Sequence, residues 1–150
     1  MRVFRFRLQT KLDLSRNQEK AAKEKLMTRL TRLEQLRNEQ KRIRSRMEIL
    51  ENDIRGINRE HKYDQKLLIN KEYLHVLKGK DKVIIEHILE ASKLADEARQ
   101  ELVEQRKETL GLEKLREKKW DEYLDEAQTE EQKDIDESAM VGFLRKQNPV

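Results

Sequence analysis

The chain has 150 residues, 43% of them charged and only 35% hydrophobic, with four glycines, one proline and no cysteine. A compact globule of this length carries more apolar residues and about half that charge, so neither a thick core nor the pocket of an ordinary enzyme is expected, and no disulfide or sulfur-built zinc site can form. The net charge of +4 hides two halves of opposite sign: residues 1–80 hold 22 Lys+Arg against 11 Asp+Glu, and residues 81–150 hold 12 against 19. Disordered chains are rich in proline and glycine, and the one proline here is Pro149. The remaining possibility is long helices that bury a narrow seam.

At the start, Arg2, Arg5 and Arg7 alternate with Val3, Phe4, Phe6 and Leu8. The segment reads either as a frayed end or as an anchor for an acidic, partly apolar socket. No continuous apolar run follows it, so it is not a secretory signal. From Leu8 onward the apolar residues take helical spacing, with Ser15 and Glu19 as polar interruptions. Leu30, Leu33 and Leu36 step by three and three, a local phase break of the kind that overwinds a coiled coil without ending it. Ile43, Met47, Leu50, Ile54 and Ile57 then alternate steps of four and three. Past Ile57 the phase slips, and Tyr63, Leu67, Asn70, Leu74 and Leu77 resume it.

Lys78-Gly79-Lys80-Asp81 follows, near the midpoint of the chain. Gly79 can take the positive φ that stops a helix and Asp81 can cap the next one. The spacing therefore predicts a first helix over about 8–77, a hinge at 78–82, a second helix over about 82–141 and a flexible tail at 142–150. Helix is expected to continue through Gly56 and Gly111. In the second helix Ile84, Ile88, Ala91, Ala95, Ala98, Leu102, Gln105, Thr109 and Leu112 alternate four and three. Leu115, Trp120, Tyr123 and Ala127 continue less regularly.

The expected fold is all-α, a single domain formed by a long antiparallel two-helix coiled coil, because a basic half folded back on an acidic one attracts where parallel copies would repel. With the hinge at 78–82, paired positions total roughly 158 at heptad spacing. Ile43 would then face Leu115, and Trp120 would face Leu36 and Gln40.

Few residues suggest chemistry. His61, His75 and His87 lack the i, i+4 spacing of a helical metal site, no glycine loop could hold a phosphate, and the carboxylates line helix faces with no pocket to shift them. No catalysis, cofactor or metal is expected. Lys41-Arg42-Ile43-Arg44-Ser45-Arg46 is a dense basic cluster. It reads as the solvated flank of the seam, answered by carboxylates on the partner helix, with nucleic-acid contact as the alternative. No aromatic interleaves with it for base stacking. Tyr73, Leu74, His75, Val76 and Leu77 are denser in apolar residues than one seam requires, which marks a candidate protein-binding patch. No stretch approaches the ~20 apolar residues of a membrane span.

Three stretches carry a family likeness. Phe4-Arg5-Phe6-Arg7-Leu8-Gln9-Thr10 before a Lys/Glu-rich helix, Leu112-Glu113-Lys114-Leu115-Arg116-Glu117-Lys118-Lys119-Trp120-Asp121-Glu122-Tyr123, and Glu131-Gln132-Lys133-Asp134-Ile135-Asp136-Glu137-Ser138-Ala139 together resemble the FliJ family of flagellar type III export proteins. The resemblance implies a non-enzymatic antiparallel coiled coil similar to the central stalk of rotary ATPases. Such a protein inserts in the hexameric ring of the export ATPase and promotes its assembly and activity. It also contacts the cytoplasmic domain of the export-gate membrane protein and binds export chaperones. Its place would be the cytoplasm, peripheral to the inner membrane at the flagellar base. Carried onto this chain, the resemblance puts Arg2, Phe4, Arg5, Phe6, Arg7 and the tail Phe143, Leu144, Arg145 and Lys146 in the ring, and Tyr73 and Leu77 at the gate. A structural scaffold without an ATPase partner, and the equivalent stalk of a virulence injectisome, are the alternatives.

Overall fold

The computed structural model describes residues 2–59 and 65–148. They form two helices, α1 over Gln9–Arg59 and α2 over Gln65–Gln147, and no strand among the described residues. The helices pack against each other as an antiparallel hairpin. Cross-helix pairs give the register: Arg16 with Glu113, Lys25 with Glu101, and Arg44 with Asp81. Facing residue numbers total about 125, with both helices at heptad spacing.

The expected hinge at 78–82 is therefore displaced. α1 ends at Arg59, not near residue 77, and residues 78–82 are helical within α2. The physical reason lies in the seam. Asp81 stands four residues after Leu77 and three before Ile84, so the apolar phase crosses Gly79 without a break. Asp81 is half-buried there, while Leu77 and Ile84 are 4% and 5% exposed. Gly79 faces outward, where an added Cβ would meet nothing within 4 Å. Its propensity cost of about 1 kcal/mol is offset by the seam on either side. The phase does slip after Ile57, next to where α1 ends. His61 and Tyr63 lie outside the described residues. Helix runs through Gly56 and Gly111 as expected, and α2 continues to Gln147, past the predicted start of a flexible tail.

The chain divides into two compact units, and both helices contribute to each. Unit 2, Lys20–Val103, has its core at Leu33, Leu36 and Ala91, with Ile88 packed against them. Ala91, Ala95 and Ala98 line α2 there at 8%, 2% and 1% exposure. Each contributes little buried area, since a methyl group is worth only about 0.8 kcal/mol, so the leucines opposite them supply most of the burial. At the phase break, Arg29 and Leu30 are both half-buried, and the stripe passes between them rather than stopping.

Unit 1, Met1–Glu19 with Glu104–Val150, buries Leu12 and Leu112 around a polar layer. Ser15 and Thr109 are each 2% exposed, and their hydroxyls lie 2.8 Å apart. The Gln105 amide donates to Ser15 Oγ at 3.2 Å and to Gln18 Oε1 at 3.2 Å, and Thr109 Oγ1 donates to the Gln105 carbonyl at 3.0 Å. No buried side-chain polar atom among the described residues is left without a partner. A satisfied buried layer of this kind favours one register, because a slip of one heptad would leave its hydroxyls facing leucine.

Two predictions follow from the register. With no native cysteine in the way, L36C/A91C should crosslink within one chain with a short bis-thiol reagent, whereas I43C/L115C should not; the reverse pattern would restore the 78–82 hinge. Thr109→Val alone should destabilise the hairpin by about 1–3 kcal/mol through the orphaned partner hydroxyl. The double variant S15A/T109V should recover most of that loss, as read by denaturant unfolding.

Candidate functional site

Unit 1 contains an aromatic cluster of Phe4, Trp120 and Tyr123. Residues 2–6 are not helical, and the chain turns at residues 7–8 before α1 begins. The Gln9 amide donates to the Phe6 carbonyl at 3.0 Å, and the Leu12 amide donates to the Leu8 carbonyl at 2.9 Å. Gln9 then bridges the helices: its side-chain oxygen accepts from Arg116 Nε at 3.0 Å, and its amide donates to Asp13 at 2.9 Å. Residues 2–8 thus continue along α2 as an arm, where α1 no longer covers it.

Phe4 fixes the arm. Its ring meets Trp120 edge-on at 5.0 Å between centroids and Tyr123 at 5.5 Å, and Trp120 and Tyr123 stack at 5.5 Å. Such geometries add about 0.5–1.5 kcal/mol per pair beyond their buried area. The Arg116 guanidinium sits 6.0 Å from the Phe4 centroid, at the outer limit of a cation–π contact. The Tyr123 hydroxyl donates to the Arg2 carbonyl at 2.6 Å. A cavity of about 610 Å³ lies between the arm and α2, with Phe6, Leu8 and Leu115 in its wall and Lys119, Glu122 and Glu126 at its edge. Lys119 and Glu122 pair at 2.7 Å; their hydrogen bond holds the Lys119 ammonium above its ordinary pKa and the Glu122 carboxyl below its own.

The residues proposed from sequence are thus placed unequally. Arg2, Arg5 and Arg7 are exposed, but Phe4 and Phe6 are half-buried against α2 and are not presented as free anchors. Trp120 does not face Leu36 and Gln40; it receives the arm, at 41% exposure. Phe143 and Leu144 are 59% and 54% exposed near the end of α2, beside Arg145 and Lys146 in its last turn. Those two cations favourably oppose the negative end of the helix dipole. Every described residue of α2 beyond Ala127 is exposed. In unit 2, Tyr73 is 39% exposed, but Leu77 is packed in the seam. Beside Tyr73 a second stripe runs off the seam and extends the patch around Val76: Ile69, Val76 and Val83, seven residues apart and all about half exposed or more. Heptad spacing off the seam was the available signal.

Among the described residues no group of His, Asp or Glu could hold a metal ion, and no helix is long and apolar enough to cross a membrane.

Residues 4–148 match the family described as flagellar FliJ protein. No curated protein matches the sequence. Among solved structures, a YscO homolog, CT670, from Chlamydia trachomatis is similar at a TM-score of 0.65 over 97% of this chain and 99% of its own. At 22% identity that likeness speaks for the hairpin fold alone.

The chain's single tryptophan gives a direct test of the arm. Phe4→Ala should shift Trp120 emission to the red and raise its quenching by iodide, with helicity unchanged. Tyr123→Phe, which removes only the hydrogen bond to the arm, should give a smaller change of the same sign.

Proposed function

Because the chain belongs to the flagellar FliJ family, a non-catalytic component of type III export, we propose that it is the central stalk of the hexameric flagellar export ATPase. The observation that carries this reading is unit 1 itself. There the arm is tied to α2 through Phe4, Trp120 and Tyr123, and α2 continues uncovered to Gln147. A helix exposed on every side over some twenty residues gains nothing from packing within its own chain. It suits insertion into a channel formed by other subunits.

In this reading Arg2, Arg5 and Arg7 on the arm and Phe143, Leu144, Arg145 and Lys146 on α2 meet the ring. Phe4 and Phe6 act by holding the arm in place. The inserted element is not six-fold, so it touches the ring's subunits unequally. That inequality favours assembly and biases ATP turnover. Contact with the cytoplasmic domain of the export gate falls to unit 2, at Tyr73 and the exposed stripe of Ile69, Val76 and Val83, with Leu77 supporting Tyr73 from the seam. Export chaperones are further partners. The site of action is the cytoplasmic face of the inner membrane at the flagellar base.

The test is to mix the chain with the same organism's export ATPase and follow ATP turnover and hexamer formation. Wild-type chain should stimulate both. A chain lacking residues 1–8 and 141–150 should stimulate neither, with the hairpin still helical by circular dichroism. Equal stimulation by the truncated chain would overturn the stalk reading, and no stimulation by the intact, folded chain would favour a scaffold.

A further inference from the structure

Two half-buried polar residues of unit 2, Gln40 and Asp81, stand out of step with each other. The register of unit 2 is set by Arg44 with Asp81 and by the packing of Leu33, Leu36, Ile88 and Ala91. Stepping along both seams from those contacts puts Leu36 opposite Ile88, Gln40 opposite Ile84, Ile43 opposite Asp81 and Met47 opposite Leu77. Gln40 therefore faces an alkyl group that accepts no hydrogen bond. One layer further on, Asp81 faces another, with its side chain only 15% exposed.

We infer that unit 2 carries a second register, in which α1 slides half a heptad, about 5 Å, toward the start of α2. Gln40 then meets Asp81, and its amide donates to the carboxylate. Leu33 meets Ile88, Leu36 meets Ile84, Ile43 meets Leu77 and Met47 meets Leu74, so five consecutive layers set like against like. Arg37 and Lys41 flank Gln40 on α1, which keeps a cation near Asp81 in place of Arg44. Neighbouring alignments do not achieve this. A half-heptad slide the opposite way sets Asp81 against Met47 and Gln40 against Ile88, and full-heptad slides set Asp81 against Leu36 or Leu50.

The slide has a cost elsewhere in unit 2. In the observed register Leu26 lies opposite Ala98 and Ala22 opposite Leu102, large against small. After the slide Ala22 meets Ala98, which leaves a gap. That loss keeps the observed register the more populated. Two packings of one sequence that differ by a small free energy form a switch, and this one changes the alignment of two helices without melting either. The inference goes beyond the export reading and stands without it.

The test places spin labels on the full chain at Glu48 and Glu90, both exposed in unit 2, through E48C/E90C; no native cysteine competes. Double electron–electron resonance then compares four labelled chains: otherwise wild type, Q40L, Q40K and Q40K/D81L. The observed register gives the shorter distance, and the slide lengthens it by up to its own length. Wild type should show mainly the shorter distance. Q40K should raise the longer population at least threefold, because a lysine at 40 meets Asp81 only after the slide. Q40L should hold the shorter distance alone, since leucine packs on Ile84. Q40K/D81L should lose the gain of Q40K, because the attraction is gone.

A folded Q40K chain with the shorter distance alone would overturn the second register. So would a population whose distance shortens, which would mean a slide the other way. If Q40K loses helicity by circular dichroism, the comparison of wild type with Q40L decides: a longer component present only in wild type supports the slide, and identical distributions overturn it.

Discussion

Burial along one seam, two residues per heptad on each helix, is the constraint on which this molecule depends. Hydrophobic residues are too few to build a second layer, so each helix has one stripe to hide and only the other helix to hide it against. Every departure from the stripe is then felt. Three alanines within eight residues of α2 reduce what the seam can bury, and a serine–threonine–glutamine layer interrupts it altogether. The hairpin tolerates these losses because its hydroxyls and amide satisfy one another. Replacing an apolar layer with such a network gives up stability and gains a fixed alignment.

Electrostatics follow the same register. The surface ion pairs between the helices are exposed and contribute about 0–1 kcal/mol each, so they select the alignment more than they secure it. Arg44 with Asp81 is the tightest in setting, since the aspartate side chain is 15% exposed. An acid at a seam position would ordinarily be a defect. Here it lies opposite the basic run at 41–46 and pairs with Arg44.

The sequence made the seam legible almost residue by residue. Most half-buried and buried positions of α1 and α2 alternate by four and three, from Leu12 to Ile57 and from Leu67 to Leu112, with Leu30, Glu51, Ser92 and Leu94 half-buried off that stripe. The place of the reversal was less legible, because a local signal and the periodic one disagree there. Gly79 with Asp81 has the composition of a helix stop, yet a glycine on the solvent face breaks nothing, and Asp81 keeps the phase that a turn would have lost. The slip after Ile57 was the better indicator. The place of the reversal fixes every partner: a hinge at 78–82 sets Trp120 against Leu36, whereas the observed register leaves it for Phe4. At the candidate site, the residue types were legible but their availability was not. Phe4 and Phe6 look like free anchors until the partner of α2 beyond Gln9 is known, and Leu77 looks like surface until its phase is joined to Ile84.

The arm also bears on how the chain comes together in time. Cross-helix contacts widen steadily in sequence separation: 37 residues for Arg44 with Asp81, 76 for Lys25 with Glu101, 97 for Arg16 with Glu113, and 121 for Tyr123 with Arg2. Loop-closure entropy therefore favours the contacts nearest the chain reversal first, and the hairpin closes like a zipper whose last tooth is the aromatic cluster. During synthesis at about 5–20 residues per second, the arm emerges well before Tyr123 exists to receive it. Opening runs in the opposite direction, so the arm is the first element to let go. The contact of widest separation, between Tyr123 and Arg2, thus closes on a seam that is already shut.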